Sequence, residues 1–282
     1  MKKKMPTIII SVLLLTGLGV LFYPSFCNWY NHKFHEAEIN GYTESVADCI
    51  DESISYQLLQ AEKYNNALTG KDIEDPFVLG SGGAVPENYT SILDIYEGIM
   101  GYIEIPKIAV ELPIYHGTSA AVLEKGIGHL EMTAFPIGGV GNHSVLTGHT
   151  GLPKAELFTD LVDMELEDVF YIKVLNEVLA YQVDQINIVE PSNANDLKPV
   201  PGEDYVTLAT CTPYGINSHR LLVRGTRIQY TPEYEEGDSR VISDENDELS
   251  YNLIISILVI CILIITVTVV LVKKRRKRTG EK

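Results

Sequence analysis

A cysteine and an arginine nine residues apart are the side chains best suited to covalent chemistry in this chain. Cys211 ends an apolar, β-branched run, and Arg220 lies in the next such run, after a turn containing Pro213 and Gly215. A thiol attacks as the thiolate, and an unperturbed cysteine, with a pKa of about 8.5, needs a basic or cationic neighbour to form it. Two strands joined by this turn would bring Arg220 beside Cys211. The alternative to a catalytic pair is that Cys211 is a small buried hydrophobic residue and that Arg220 forms a surface salt bridge.

Alternation along the second run decides which polar side chains share a face. Arg220, Leu222 and Arg224 lie on one face and His219 on the other, because successive side chains of a strand point to opposite sides. Only one of His219 and Arg220 can therefore face the thiol directly. Arg224 is expected to form a surface salt bridge.

Two histidines are the candidates for a general acid or base. His143 opens an apolar run and His149 closes it, between Gly148 and Gly151 at a strand-to-loop exit. Catalytic groups concentrate in loops carried by a rigid scaffold. Residue chemistry alone, however, makes the two histidines nearly equal candidates for the general acid or base. A lone histidine is a weak indication of a site, and four others are expected to be surface or structural residues: His32, His35, His116 and His129.

The elements that must position these groups are mostly strands. Residues 93–230 form short β-branched or aromatic runs broken by Gly, Pro and Asn, with one or two helical interruptions at 120–130 and 154–161. Close strand spacing predicts a closed barrel or a sandwich, so the fold class is mainly β with α. Residues 30–68 carry apolar side chains at three- and four-residue spacings, which predicts helices that pack on the barrel or lift it from a membrane.

Residues 69–92 break every regular pattern. They contain Pro76, Pro86 and the glycines Gly80, Gly82 and Gly83, and an aromatic residue, Phe77, directly follows Asp75 and Pro76. A structureless run of this length in a compact domain is usually either a functional lid or a disordered linker. We expect a lid.

Two uncharged apolar runs lie near the ends of the chain. Residues 7–23 follow a basic tail, 1–6, and residues 253–272 precede another, 273–282. About 20 apolar residues are needed to cross a bilayer core, so both runs are predicted to be transmembrane helices. A signal peptide is the alternative for the first, although residues 23–30 offer no small-x-small cleavage site. The positive-inside rule places both termini in the cytoplasm and the domain between them outside the cell.

The charge balance excludes some partners. The chain carries a net charge of −16 although both tails are basic, so its central part is more acidic still. Such a surface argues against nucleic acid and anionic lipid headgroups, and it favours protein partners. Residues 231–250 hold eight acidic residues against Arg240 and are predicted to be a solvated tether. Two intact disulfides are not expected from the four cysteines, and no metal-ligand spacing is present.

These motifs together resemble the sortase family. TLATC with Arg220 nine residues after its cysteine is similar to the family's Thr-Leu-x-Thr-Cys…Arg signature, and LTGHTGLPKAELFTDL resembles its catalytic-histidine segment, which selects His149 over His143. TPYGINSHRLLVRGTRI and the upstream DPF resemble the pilin-polymerising branch, called class C. Two features depart from that branch: Thr150 stands where Arg is common, and EMTAFPIGG replaces a smaller segment.

The resemblance implies an eight-stranded sortase β-barrel, preceded by N-terminal helices and lying between two transmembrane helices. It implies a cysteine transpeptidase that uses neither a metal nor an organic cofactor. Cys211 would attack the Thr–Gly carbonyl of an LPxTG-like sorting signal to form a thioester, His149 would transfer protons, and Arg220 would stabilise the oxyanion. The partners would be pilin subunits that bear this signal and an acceptor lysine.

The resemblance also gives the loop a role. Asp75, Pro76 and Phe77 would form the lid, with Asp75 paired to Arg220 and Phe77 over the Cys211 thiol. Three other functions remain open: a sortase that anchors proteins to the cell wall, a membrane-anchored cysteine hydrolase, and a non-catalytic surface scaffold.

Overall fold

Two long helices precede the barrel. The computed structural model describes residues 5–68, 73, 75, 77, 88–152 and 155–232. Helix α1 spans Met5–Asp48, α2 spans Asp51–Ala67, and the short α3 spans Ala120–Leu123. Sequence analysis predicts helices over residues 30–68, whereas α1 runs without interruption from Met5 through that boundary. The break falls at residues 49 and 50, and α2 begins with two acidic residues, which interact favourably with a helix N-terminus.

No helix in the described ranges is both long enough and apolar enough to span a membrane. The apolar run 253–272, the basic tail after it and nearly all of the acidic tether lie outside those ranges. The chain divides into two compact units, Met1–Tyr230 and Thr231–Lys282. The helices and strands of the described ranges belong to the first unit.

Eight strands close into a barrel, which confirms the predicted sortase architecture. They pair in the order β1-β2-β3-β4-β7-β8-β6-β5. Closure leaves no unpaired sheet edge. The strands are β1 Ile99–Ile105, β2 Val110–His116, β3 Ile127–His129, β4 His143–Thr147, β5 Val169–Val174, β6 Glu177–Val189, β7 Tyr205–Thr212 and β8 His219–Ile228.

One predicted helical interruption is only partly helical. Within residues 120–130 only α3 is helical, begun by Ser119, whose side-chain oxygen accepts a hydrogen bond from the Val122 N–H. The chain then enters β3, which pairs with β2 and β4. His129 on β3 is fully buried, so it is a structural residue.

Alternation in β7 and β8 divides apolar side chains between two cores. Leu208 and Leu221 belong to the main core inside the barrel, where the helices also contribute. Ala209 and Leu222, the next residues along, belong to a smaller group on the outer face of the sheet. We call this group the outer cluster; its buried members are Leu130, Val145, Leu197, Ala209 and Leu222.

Buried polar contacts fix the two helices to the barrel. The Tyr42 hydroxyl on α1 donates to the Met100 carbonyl at 3.1 Å and accepts from the Leu175 N–H at 2.7 Å. Asn65 on α2 accepts from the Phe135 N–H at 2.7 Å and donates to the carbonyl of the same residue at 3.3 Å. These bonds satisfy backbone groups that burial would otherwise leave unpaired.

Candidate active site

Cys211 and Arg220 lie directly opposite each other on neighbouring strands. The antiparallel register of β7 and β8 pairs Cys211 with Arg220 and Ala209 with Leu222. Because side chains alternate, the thiol and the guanidinium are on the outer face, next to the outer cluster. Arg220 is thus the residue of the pair His219 and Arg220 that shares a face with the thiol.

His149 leaves the barrel at the same edge as Cys211. Strands β4 and β7 are parallel, with Thr147 level with Ala209, so His149 and Cys211 each lie two residues beyond a paired position. The Gly148 N–H donates to the Ala209 carbonyl at 3.1 Å, and the Thr210 hydroxyl donates to the Gly148 carbonyl at 2.7 Å. These bonds continue the parallel pairing to the residue before His149.

Glycine is required at position 148 for steric reasons. A Cβ atom there would lie 2.7–2.8 Å from side-chain atoms of Ile127 and Phe158. The strand can therefore run close beneath these residues and present His149 at the rim. The Phe158 N–H then donates to the His149 carbonyl at 3.1 Å, which fixes the backbone of the loop.

Asp75 forms a two-pronged ion pair with Arg220. The Arg220 Nε donates to Asp75 Oδ1 at 2.9 Å and Nη2 donates to Oδ2 at 2.6 Å. The Asp75 side chain is 5% exposed and that of Arg220 12% exposed, so water screens the pair weakly. The remaining nitrogen, Nη1, donates to the carbonyls of Asn217 and His219. Four hydrogen bonds from its three nitrogens therefore fix the orientation of the guanidinium.

The Phe77 ring covers Arg220 and His149 together. Its centroid lies 4.9 Å from the Arg220 guanidinium carbon, within the range of a cation–π contact. It lies 5.6 Å from the His149 ring centroid, at an interplanar angle of 38°. The Phe77 N–H also donates to Asp75 Oδ1 at 3.3 Å, which couples the positions of the two residues. Pro76, the third predicted lid residue, lies outside the described part of the chain.

Ile73 is a contact of this segment that sequence analysis missed. It packs against the outer cluster, two residues before Asp75. The one indication in the sequence is an isolated aliphatic residue in the otherwise polar stretch TGKDIED. The residues that Ile73 contacts come from strands distant in sequence, so local sequence patterns do not predict this contact.

Burial opposes ionisation of both candidate catalytic groups. It raises the pKa of the Cys211 thiol, an effect that Arg220 opposes and Asp75 reinforces. Burial also lowers the pKa of His149, partly offset by Glu124. Both effects favour a neutral thiol and a neutral imidazole while the segment carrying Asp75 and Phe77 is in place.

The remaining polar residues considered from the sequence lie outside this constellation. His143 is buried at the start of β4, the end of that strand away from His149, and Arg224 forms a two-pronged ion pair with Asp184. The described cysteines, Cys27, Cys49 and Cys211, are all free. Within the same ranges no group of three or more His, Cys, Asp or Glu residues could hold a metal ion.

Comparison with known proteins identifies the family. Residues 103–228 match the family model described as the Sortase domain. The crystal structure of sortase C-1 from Streptococcus pneumoniae superposes with a TM-score of 0.66 and is 45% identical, over 69% of this chain and 100% of that one. This chain belongs to the sortase family. The Cys211–Arg220 pair and all of the barrel except the first residues of β1 lie within residues 103–228.

Further relatives of this sortase are similar over different lengths. The pilus-related sortase C of Group B Streptococcus is 43% identical, with a TM-score of 0.63, over 68% of this chain and 97% of that one. Sortase SrtE1 of Streptomyces coelicolor is 30% identical over 155 residues. That alignment covers 50% of this sortase and 44% of the relative, so the chain spans less than half of that curated protein. Sortases as a family are cysteine transpeptidases.

Proposed function

We propose that this sortase is a pilin-polymerising cysteine transpeptidase, with Cys211, His149 and Arg220 as its catalytic residues. One observation carries the proposal: β7 places Cys211 opposite Arg220 and beside the strand that leads to His149. A nucleophile, a cationic hydrogen-bond donor and an acid–base group at one sheet edge are the groups that acyl transfer requires. The likeness to sortase C structures supports the choice of branch.

In the first step the Cys211 thiol gives its proton to His149 once the lid is displaced, and the resulting thiolate attacks the carbonyl carbon between Thr and Gly of an LPxTG-like sorting signal. The carbonyl π electrons move to oxygen, and the N–H donors of Arg220 stabilise the resulting oxyanion. Such donors contribute about 3–4 kcal/mol each in other acyl transfers. The C–N bond then breaks, His149 protonates the departing glycine amine, and a thioester remains on Cys211.

In the second step an amine replaces the thiol. His149, neutral after giving up its proton, removes a proton from the attacking ammonium or amine of the acceptor. The amine nitrogen forms a bond to the thioester carbonyl carbon, and the thiolate of Cys211 leaves. With a pilin lysine as acceptor the product is an isopeptide-linked polymer, and no metal or organic cofactor takes part.

The segment with Asp75, Pro76 and Phe77 acts as a lid that keeps the resting enzyme closed. The Asp75 carboxylate occupies the Arg220 donors, where the anionic oxygen of the tetrahedral intermediate would bind. Phe77 lies against both Arg220 and His149. A sorting signal must displace these contacts before it reacts, which protects the thiol from oxidation outside the cell.

Sortases are cell-surface enzymes, and we propose the same location here. Residues 7–23 and 253–272 would anchor the chain in the cell membrane, with both termini cytoplasmic and the barrel outside. The partners would be pilin subunits with LPxTG-like sorting signals and an acceptor lysine. The acidic net charge of −16 agrees with a protein partner and not with nucleic acid.

Product analysis tests this function. The full chain carrying Asp75→Ala and Phe77→Ala, which opens the lid, is incubated with a peptide containing an LPxTG-like signal, with and without a lysine-bearing pilin. We expect a covalent peptide–pilin product when the pilin is present, and none with Cys211→Ala in the same background.

The other outcomes separate the alternatives. Cleavage without transfer in the presence of amines would identify a cysteine hydrolase instead. Transfer only to a cell-wall precursor amine would identify a wall-anchoring sortase. Absence of any product that depends on Cys211 would leave the chain a surface scaffold and contradict the proposal.

A further inference from the structure

His143, the other histidine considered as a general acid or base, has no part in the chemistry proposed above. It begins β4, six residues before His149, which at about 3.3 Å per residue is roughly 20 Å along an extended strand. It is 2% exposed, and both ring nitrogens have partners. A buried polar side chain held on both sides is a fixed structural contact.

The hydrogen-bond partners determine which ring nitrogen carries the proton. Nδ1 lies 3.0 Å from the Lys198 carbonyl, and a carbonyl only accepts, so Nδ1 is the donor. Nε2 lies 2.7 Å from the Thr207 hydroxyl, so Nε2 accepts the hydroxyl proton of Thr207. Burial, reinforced by the charge of Arg224, lowers the pKa of His143 to about 4. The imidazole is therefore neutral near neutral pH, as this pair of bonds requires.

The Lys198 carbonyl belongs to the connection between β6 and β7, which forms one wall beside the active site. A short 3₁₀ helix, Asn195–Leu197, lies in this connection. Asn187 of β6 donates to Asp196 in this helix at 2.8 Å, and His143 bonds the residue that directly follows it. His143 and Asn187 thus hold the connection from two strands.

Leu197 connects this wall to the catalytic residues. It is 4% exposed and packs in the outer cluster with Ala209 and Leu222. These three residues and Arg220 line one cavity of about 10 Å³. Ala209 and Leu222 form the register pair next to Cys211 and Arg220 on the outer face. A peptide bound to Cys211 and running along that face would contact Leu197.

We propose that His143 is a positioning residue that holds the β6–β7 connection, and with it Leu197, in the place where the aliphatic residue of the sorting signal binds. This inference rests on the proposed function. Ile73 now packs against the same cluster, which shows that an aliphatic side chain fits there. His143 acts on substrate binding through Leu197 and does not touch the reacting atoms.

The test compares His143→Leu with His143→Asn in the lid-opened Asp75→Ala, Phe77→Ala background. Leucine removes both hydrogen bonds, whereas the asparagine amide keeps a donor for the Lys198 carbonyl. We expect His143→Leu to raise KM for the sorting peptide about tenfold, with kcat and the rate of Cys211 alkylation within about twofold of the parent. His143→Asn should keep KM within about threefold of the parent. A general loss of stability would not separate KM from kcat in this way.

Hydrogen exchange gives a second measurement that needs no turnover. The Leu197 and Lys198 amides donate within the 3₁₀ helix to the carbonyls of Ala194 and Asn195. In His143→Leu they should exchange about tenfold faster or more, because local opening becomes easier. Thr207→Val, which removes only one of the two bonds, should change both measurements in the same direction by less. It serves as the test variant if His143→Leu does not fold.

Unchanged KM and unchanged exchange in a folded His143→Leu protein would overturn the inference. Equal rises of KM in the leucine and asparagine variants would also overturn it. If the lid-opened parent shows no turnover, the proposed function fails instead, and amide exchange alone decides whether His143 holds the connection.

Discussion

At the scale of single residues, Asp75 and Arg220 have opposite effects on the Cys211 thiol. Arg220 lowers the pKa of the thiol, but Asp75 counteracts it and burial outweighs it, so the pKa is raised. The same carboxylate occupies two of the guanidinium nitrogens. Displacing Asp75 would therefore strengthen the effect of Arg220 on the thiol and free the oxyanion donors.

Thiol alkylation tests this control. Asp75→Ala with Phe77→Ala should speed alkylation of Cys211 several-fold and shift the midpoint of its pH profile to lower pH, because both burial and a negative neighbour are removed. The rate is followed by mass spectrometry with a small alkylating reagent.

A second ion pair provides the matched control. Asp184 holds Arg224 with the same two-pronged geometry, four residues farther along β8. Asp184→Ala should leave alkylation of Cys211 unchanged. Equal acceleration by both changes would mean that loosening β8, and not opening the lid, exposes the thiol.

At the scale of elements, local sequence patterns predict the strands, and which side chains share a strand face, better than they predict contacts between distant residues. Alternation alone assigns Arg220 and Leu222 to one face, and the register of β7 and β8 agrees. The pairing of Asp75 with Arg220 is expected only from the resemblance, because 145 residues separate the two. The contacts of Ile73 and His143 depend on strands that the barrel brings together, and local periodicity does not contain that information.

The contact between α1 and the barrel is another such long-range feature, and it predicts a stability effect. Tyr42→Phe removes a hydroxyl bonded to the Met100 carbonyl and the Leu175 N–H, both buried with it. We expect the free energy of unfolding to fall by about 1–3 kcal/mol, the usual cost of leaving buried groups unpaired. Urea unfolding followed by circular dichroism measures it.

Tyr56 on α2 is the control for this change, because its side chain is 59% exposed. Tyr56→Phe should alter the free energy of unfolding by less than about 0.5 kcal/mol, as surface substitutions usually do. An equally small effect of Tyr42→Phe would show that the hydroxyl does not hold α1 on the barrel.

At the scale of the whole molecule, the barrel keeps neutral histidines in its structure. His129 is fully buried and stacks against both Tyr89 and Phe135, and burial lowers its pKa to about 3. The unfolded chain therefore binds this proton first as the pH falls below about 6.5, its ordinary pKa. Stability from the neutral imidazole is complete above that pH and is lost progressively toward a pH of about 3.

The pH dependence of unfolding tests this linkage. Between about pH 6.5 and about pH 4.5, His129 should lower the free energy of unfolding by about 2 kcal/mol, because the slope approaches its limit of roughly 1.4 kcal/mol per pH unit only below the ordinary pKa. A His129→Gln variant should lack this part of the decrease, whereas the exposed His32→Gln should retain it. Parallel curves for wild type and His129→Gln would contradict the assignment.

The central claim is that Cys211 carries the acyl group during transfer, and intact-mass measurement tests it most directly. The lid-opened chain is mixed with a peptide containing an LPxTG-like signal, without an amine acceptor, and quenched in acid. The account predicts a mass increase equal to the peptide fragment ending at threonine, located on Cys211, sensitive to hydroxylamine and lost with Arg220→Ala. Full alkylation of the thiol with no such adduct at any time would contradict it.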